Sequence, residues 1–570
     1  YVSYKNQPNS LSINYSEPLR LEFGAHPYSG LVNIRSNEGN KKVNLYANGT
    51  ASRSVIVNNV KKFHDPKYYI PIIALFSFIG VGLAAAFVFL RLIKIYHWIS
   101  IGFLSISLYI TVVLYFPGVY TNDSADQLRQ ALVGQYHDWH PPLMAWFWSI
   151  LIKVTGRIES LFIFHLLLLA FGAIYWMKLF ERLQLQSFQL VISLFLISPV
   201  VINFSGVIWK DVGFAYSLFL CSGILGLSFI ECRISSGRIA VVLFLMIYAM
   251  GVRVNGIFAI IPFGIIFCLL IIYKYEFNNS LIRSVGLSTL AAILLISAIG
   301  VGLHSFSNVI LKVENRYPIQ YLKLYDIAGI SKRAASDYFP SYIKTSSHHN
   351  IDVISKRYIE AASVLGNANS LLFIQQNGSP SLIPLNKEPE LQRELHNAWV
   401  SAIIEEPMAY VKHRFSVFSF LMGKESYSSE IPQTDVNRAA VLQNFAIDAE
   451  AVSLSPVFSW GRVGAMEFFH ENISFANGSF LYIGWTWLAI LTAQLLIGLL
   501  IIRRFPAGAI VVAVSASGLF YILPYLVVAP ASDFRYLYWG VISAGILAIF
   551  IIAASLSAAV KYLLKRAYCL

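Results

Sequence analysis

Apolar runs of about 20 residues recur along most of this chain, separated by short polar breaks. They fall at about 69–90, 99–116, 160–177, 190–204, 212–230, 239–250, 256–273, 285–304, 480–502, 507–528 and 537–559. In hydrocarbon a backbone must satisfy its own hydrogen bonds, so such runs are helices. The ten-residue alternation of a membrane barrel is not seen in them. Only 13% of the residues are charged, against about 25% in a soluble domain. The expected fold class is a polytopic α-helical membrane protein with eleven spans.

The polar stretches set the domain organisation. Residues 1–65 hold short alternating runs at 11–15, 19–23, 31–34, 43–46 and 54–57, punctuated by Gly, Pro and Asn. They predict a small β-sandwich. Residues 66–305 form a transmembrane core, in which 117–142 is an unusually polar first loop. Residues 143–154, rich in Trp and Phe, are too short to cross and predict a helix lying at the interface. Residues 306–476 predict a mostly helical segment outside the bilayer, and 477–570 carry the last three spans. The chain begins Tyr1-Val2-Ser3 without Met, so a removed signal or a further span is expected upstream. The four cysteines lie in spans or beside basic flanks, so neither a disulfide framework nor a zinc site is expected.

Charge fixes an orientation. Alternating the spans places 91–98, 178–187, 231–238, 274–284, 503–506 and the carboxyl terminus on one side. These loops hold thirteen Lys or Arg and three acids, a net +10 of the total +13. Basic loops mark the cytoplasmic side. The strand region, the 117–142 loop and the 306–476 segment then face outward. A basic groove for nucleic acid is not expected, because the positive charge sits at span ends.

The outward hairpins carry more polarity than a turn needs. The first loop holds Asp123, Asp126, Asp138, His137 and His140, and ends in Pro141-Pro142. Trp209-Lys210-Asp211, Arg253 with Asn255, and Asp533 with Arg535 and Tyr536 fall on the same side, as do Tyr410, His413 and Arg414. Singly, each reads as an ordinary span-end charge. Together they suit an anionic lipid headgroup with a base beside it. Lys210, Arg253, Arg414 and Arg535 would hold a donor phosphate and stabilise its developing charge. Asp123 would take the proton of an acceptor hydroxyl. Asp126, three residues on, shares its helix face and would position it or a divalent metal. His140, Trp209, Asp211, Asn255, Tyr410, Asp533 and Tyr536 would line the pocket.

The pairing of Asp123-Ser-Ala-Asp126-Gln with Trp139-His-Pro-Pro-Leu-Met-Ala-Trp146 resembles the GT-C superfamily of polyprenyl-phosphate-sugar-dependent glycosyltransferases. In layout it is similar to bacterial inner-membrane enzymes that decorate O-antigen or other surface glycans. The resemblance implies an inverting transferase with Asp123 as general base. It also implies an undecaprenyl-phosphate sugar donor, a periplasmic glycan acceptor and an active site facing the periplasm. This sequence departs from the family pattern in having Ser124, not an acid, directly after the first Asp. A transporter or flippase for lipid-linked glycans, or an O-antigen ligase or polymerase, is the alternative. A transporter would place ionisable groups near the midplane and show repeated halves.

Overall fold

The computed structural model describes four strands between residues 19 and 57, then residues 96–272, 281–346, 349–358, 383, 385–423, 435–447 and 479–567. The chain divides into two compact units, residues 1–89 and 90–570.

In the first unit, β1 (Leu19–Ala25), β2 (Leu31–Ser36), β3 (Gly39–Asn44) and β4 (Ala51–Val57) form nested antiparallel pairs. The outer pair runs from Leu19 opposite Val57 to Ala25 opposite Ala51. The inner pair runs from Leu31 opposite Asn44 to Ser36 opposite Gly39. Four of the five expected strand runs coincide with these elements, the one at 43–46 only at its start. The run at 11–15 and the apolar run at 69–90 lie outside the described residues.

The second unit is helical. Its membrane part comprises α1 (Tyr96–Tyr115), α2 (Asn122–Val133), α3 (Pro142–Thr155), α4 (Ser160–Arg182), α5 (Gln189–Leu196), α6 (Pro199–Ser205), α7 (Lys210–Ile230), α8 (Ser236–Val252), α9 (Ile257–Ile272) and α10 (Leu281–Ser305). A polar segment follows with α11 (Ile319–Ala334), α12 (Ile351–Arg357), α13 (Pro389–Glu405), α14 (Pro407–Met422) and α15 (Asp435–Gln443). The chain returns through α16 (Gly484–Ile501), α17 (Ala507–Ile522), the short α18 (Tyr525–Val528) and α19 (Tyr538–Ala567). Among the described residues eight helices are long and apolar enough to cross a membrane, nine if a bent pair counts as one span. The protein is a helical, multi-pass membrane protein.

Helix α7 is the axis of the bundle. In its most apolar window 89% of residues are buried, against 17% for the peripheral span that contains α10. Small residues let neighbours approach α7 closely: a Cβ on Gly223 would lie 3.0 Å from the Cβ of Tyr175. Trp176 of α4 stacks on Phe219 at 6.5 Å between ring centroids.

Two expected spans differ in detail. The run at 190–204 is not one straight helix: α5 and α6 meet at 57°. Pro199 has no N–H and its ring would clash with the carbonyl of residue 195, so the helix cannot continue through it. The Phe195 carbonyl is met locally by the Ser198 N–H at 3.0 Å and the Ser198 hydroxyl at 2.6 Å, and α6 is tied to distant tyrosines, Pro199 O to the Tyr482 hydroxyl at 3.0 Å and Val201 O to the Tyr538 hydroxyl at 3.0 Å. Such a break is tolerated at membrane depth only where protein surrounds it, and Val200 through Ser205 are all buried. The expected run at 239–250 is the core of α8, 17 residues long. The break delivers the end of α6 to the first loop, where the polar residues gather.

Candidate functional site

The first loop is fixed to the loop between α6 and α7 by a short parallel ladder. The Val119 N–H donates to Gly206 O at 2.9 Å, and the Ile208 N–H donates to Val119 O at 3.2 Å. Gly118 makes this approach workable: its φ is +117°, and a Cβ there would lie 2.6 Å from the Ile208 side chain. Thr121 then caps α2. Its hydroxyl accepts the Ser124 N–H, and its own N–H donates to Ser124 Oγ, a reciprocal capping box. The Ser124 hydroxyl donates onward to Ile208 O at 2.8 Å, and the Trp209 indole donates to Thr121 Oγ1 at 2.9 Å. Ser124 thus braces α2 against the loop before α7. Asp123, in the first turn of α2, comes to lie beside Lys210, the first residue of α7. Two helix N-termini, each carrying partial positive charge, open at this point.

Four elements meet around Asp123. Arg535, in the turn before α19, donates from Nη1 to Asp123 Oδ2 at 3.0 Å. His140, just before α3, places Nε2 3.7 Å from Oδ1. Lys210 Nζ donates to His140 Nδ1 at 2.8 Å, which leaves the imidazole hydrogen on Nε2, toward Asp123. Tyr321 of α11 lies close enough that burial, Tyr536 and Asp123 push its phenol well above the usual range. The Asp123 side chain remains 31% exposed, so its carboxylate is open to a ligand.

Asp126 turns elsewhere. Its Oδ1 meets His137 Nε2 at 3.2 Å, and its Oδ2 accepts from Gln130 Nε2 at 2.9 Å. Gln130 in turn accepts the His137 N–H at 3.1 Å. Both oxygens are therefore occupied in folding the second half of the loop onto α2. Beyond His137 the loop is tied to the stretch between α10 and α11. The Glu314 N–H donates to Tyr136 O at 2.9 Å and the Asp138 N–H to Glu314 O at 3.1 Å.

Arg253 and Asp211 form a buried ion pair at the junction of α8, α9 and α7. The Arg253 guanidinium also donates to the Tyr525 hydroxyl. It faces the rings of Tyr521, Tyr525 and Tyr536 at 5.9, 5.8 and 5.2 Å from their centroids. Asn255, half-buried, sits beside the same Tyr525 hydroxyl. The Arg535 guanidinium lies 5.4 Å from the centroid of Tyr536 and 4.4 Å from that of Trp209, and its Nε forms an ion pair with Asp533 at 2.8 Å. Tyr536 thus separates two guanidinium groups, and Tyr525 stacks on it at 5.3 Å.

Arg414, expected to hold donor phosphate, and Tyr410, expected to line the pocket, lie in a cluster of their own. Arg414 is buried against Asp326 of α11 and donates from Nη1 to Ala529 O at 2.8 Å. Asp326, also buried, accepts from Trp399 Nε1 at 2.8 Å and meets His413 Nε2 at 3.0 Å. Tyr410 lies in the same cluster, where Asp326 and Arg414 act on its phenol. This node clamps α11, α13 and α14 together and onto the stretch leading to Asp533. It is a positioning element, because the Arg414 charge is already matched by Asp326.

The electrostatics follow from these contacts. Burial alone would raise the Asp123 carboxyl, but Arg535, His140 and Lys210 outweigh it and hold it well below the usual carboxylate range. Burial, reinforced by Lys210, pushes His140 down to about 3, so the imidazole is neutral at physiological pH. Burial raises Asp533 to about 6, against the pull of Arg535. The cluster can therefore present an anionic carboxylate beside cations that are themselves largely paired. Among the described residues no three His, Cys, Asp or Glu side chains converge as a metal site, and both Asp123 and Asp126 are met by protein groups.

Asp123, His140, Trp209, Lys210, Asp533, Arg535 and Tyr536 are brought together, with Asp211, Arg253 and Asn255 adjoining them through Tyr536 and Tyr525. Asp126, Tyr410 and Arg414 belong to the bracing around them. Sequence reasoning missed Thr121, Ser124, Tyr321, Tyr521 and Tyr525. The Ser124 cap was readable, since a Ser three residues after Thr121 opens a polar helix. The two tyrosines, four residues apart near a span end, look like ordinary interfacial aromatics. No family model, no curated protein and no solved structure matches this chain.

Proposed function

We propose that this protein is a GT-C-type glycosyltransferase of a bacterial inner membrane, with the Asp123 cluster as its active site facing the periplasm. It would move a sugar from an undecaprenyl-phosphate donor to a hydroxyl of a surface glycan such as O-antigen, with inversion. In this reading eleven spans cross the bilayer, and residues 1–65 form a small periplasmic β-sandwich. The observation that carries the reading is the partly buried Asp123 carboxylate between Arg535, His140 and Lys210, where helix ends from several spans converge. The acceptor hydroxyl would lose its proton to Asp123 as its oxygen bonds the anomeric carbon. The anomeric carbon–oxygen bond breaks in the same displacement, and its electron pair goes to the phosphate. Lys210 and Arg535 would stabilise the charge gathering there. Clustering at one end of the bundle favours a transferase over a transporter, whose ionisable groups belong near the midplane.

The test is direct. Mass spectrometry of surface glycan and lipid-linked sugars, with and without this protein, names the transferred sugar. Asp123→Asn keeps the shape of the side chain and should lower the transfer rate by about 10²–10⁴-fold, the span of general-base contributions. Membrane insertion should be unchanged. Transfer by Asp123→Asn at the wild-type rate would remove the assignment.

A further inference from the structure

In the free protein Asp123 is clamped. Arg535 Nη1 holds its Oδ2 at 3.0 Å, and Arg535 Nε holds Asp533 at 2.8 Å. The guanidinium carbon lies over Trp209, 4.4 Å from the ring centroid, and among the described residues Nη1 is the guanidinium nitrogen that makes a hydrogen bond. The Arg535 side chain is 16% exposed. A carboxylate held in this way is a poor base, because the charge that stabilises its anion opposes its protonation. Efficient base catalysis calls for a group whose proton affinity is matched to the working pH.

We propose that Arg535 is shared between base and donor: a phosphate docking on its outward nitrogens draws the guanidinium off Asp123 and so switches the carboxylate on. Arg535 would then act as a coupling residue, contacting the donor and governing the base. The inference rests on the glycosyltransferase reading above and deepens it. Its consequence is that the base is armed only when donor is present. A hydroxyl that arrives first meets a clamped carboxylate. The other groups facing Asp123 are His140 from the loop before α3, Lys210 from α7 and Tyr321 from α11. The further carboxylates, Asp533 and Asp126, are held by Arg535 and His137. His140 is kept neutral, so Arg535 and Lys210 are the cations acting on Asp123. Arg535 alone bonds it directly, and it alone has a second acceptor to exchange for.

The test reads the protonation of Asp123 itself. Dicyclohexylcarbodiimide labels protonated carboxyls in apolar surroundings, and peptide mass spectrometry reports the label at Asp123. The purified full chain is titrated with the reagent between about pH 5 and 8, with and without decaprenyl phosphate, whose binding is followed by thermal shift. Removing a direct cation raises a carboxylate by roughly one to two pH units. The lipid should therefore increase labelling at Asp123 by roughly 10- to 100-fold at a given pH. In Arg535→Met, Asp123 should label roughly 10- to 100-fold more than wild type without lipid, and lipid should add little. Arg535→Lys keeps the charge and serves if the first variant does not fold. One ammonium cannot span Asp123 and Asp533, so its free form should label more than wild type. If decaprenyl phosphate binds but labelling at Asp123 stays flat, the exchange is wrong and the transferase reading stands. If lipid raises labelling equally in Arg535→Met, simple like-charge repulsion explains it and the exchange is also wrong. If the lipid does not bind, both fall together.

Discussion

Asp326→Asn tests whether Arg414 braces the site or binds donor. Asp326 is fully buried on α11, where it accepts from Trp399, meets His413 and pairs with Arg414. Asparagine preserves the shape and an acceptor for Trp399, but strips the charge facing a guanidinium that is only 4% exposed. Breaking a buried pair from one side costs about 3–5 kcal/mol, since the remaining charge is left uncompensated. That is a large share of a typical folding free energy of about 5–15 kcal/mol. A loss of about 3 kcal/mol raises the open population roughly a hundredfold. Proteolysis of the detergent-purified protein, scored by cleavage within 385–423, measures that population directly. Adding Arg414→Met removes the stranded charge, and the double variant should recover part of the loss. Recovery should fall short by about 1–3 kcal/mol, because Arg414 also satisfies the buried Ala529 carbonyl. A single variant as resistant as wild type refutes the clamp, and so does a double variant no better than the single. The double variant should also keep donor use, which it would lose if Arg414 held phosphate.

The two carboxylates of α2 should separate in kinetics. Asp126→Asn keeps one of the two acceptor oxygens that meet His137 and Gln130, and its transfer rate should stay within about tenfold of wild type, far above that of Asp123→Asn; an equal collapse of both would mean that they act as a pair. Asp533 gives a pH test. Its native value near 6 lies above the ordinary 3.8, so the native state binds the proton more tightly than the unfolded chain. Its contribution is full below about 3.8 and is lost as pH rises through about 6. The stability of wild type relative to Asp533→Asn should therefore decline between about pH 4 and 7, and a pH-independent difference would contradict the burial of that carboxyl.

Helix positions were legible in the sequence because their signal is local: apolar runs bounded by charge became α1, α4, α7, α9, α10, α16, α17 and α19. The bend at Ser198-Pro199 was half legible. Proline announces a break, and Ser198 meets the freed Phe195 carbonyl locally, but the docking of Tyr482 and Tyr538 on α6 from far along the chain has no local signal. The polar hairpins were found for the same local reason, since charge beside a span stands out. What the sequence could not show is which charges are already matched. Arg414 and Arg535 look alike in a list of outward cations. Asp326 neutralises one in the interior of the outer helices, while the other lies beside a partly buried carboxylate. Pairing of this kind is a property of tertiary contact, and no spacing rule in one segment encodes it.

The balance of charge gives the cluster its direction. Arg253 is matched by Asp211, and Arg535 by Asp123 and Asp533. Lys210 differs: its hydrogen-bond partner is a neutral imidazole. An arriving phosphate would therefore meet in Lys210 a cation hydrogen-bonded to no carboxylate, although Asp123 and Asp211 act on it through space. Burial also makes the cluster more positive below about pH 6, as Asp533 takes up a proton. Lys210 would accordingly dominate capture of the anion, and Arg535 would dominate what capture does to the base. The two cations, equivalent in the sequence, should split kinetically. Replacing Lys210 by Met should mainly weaken donor binding and raise KM. Replacing Arg535 should mainly alter the pH dependence of kcat, where the base is exposed.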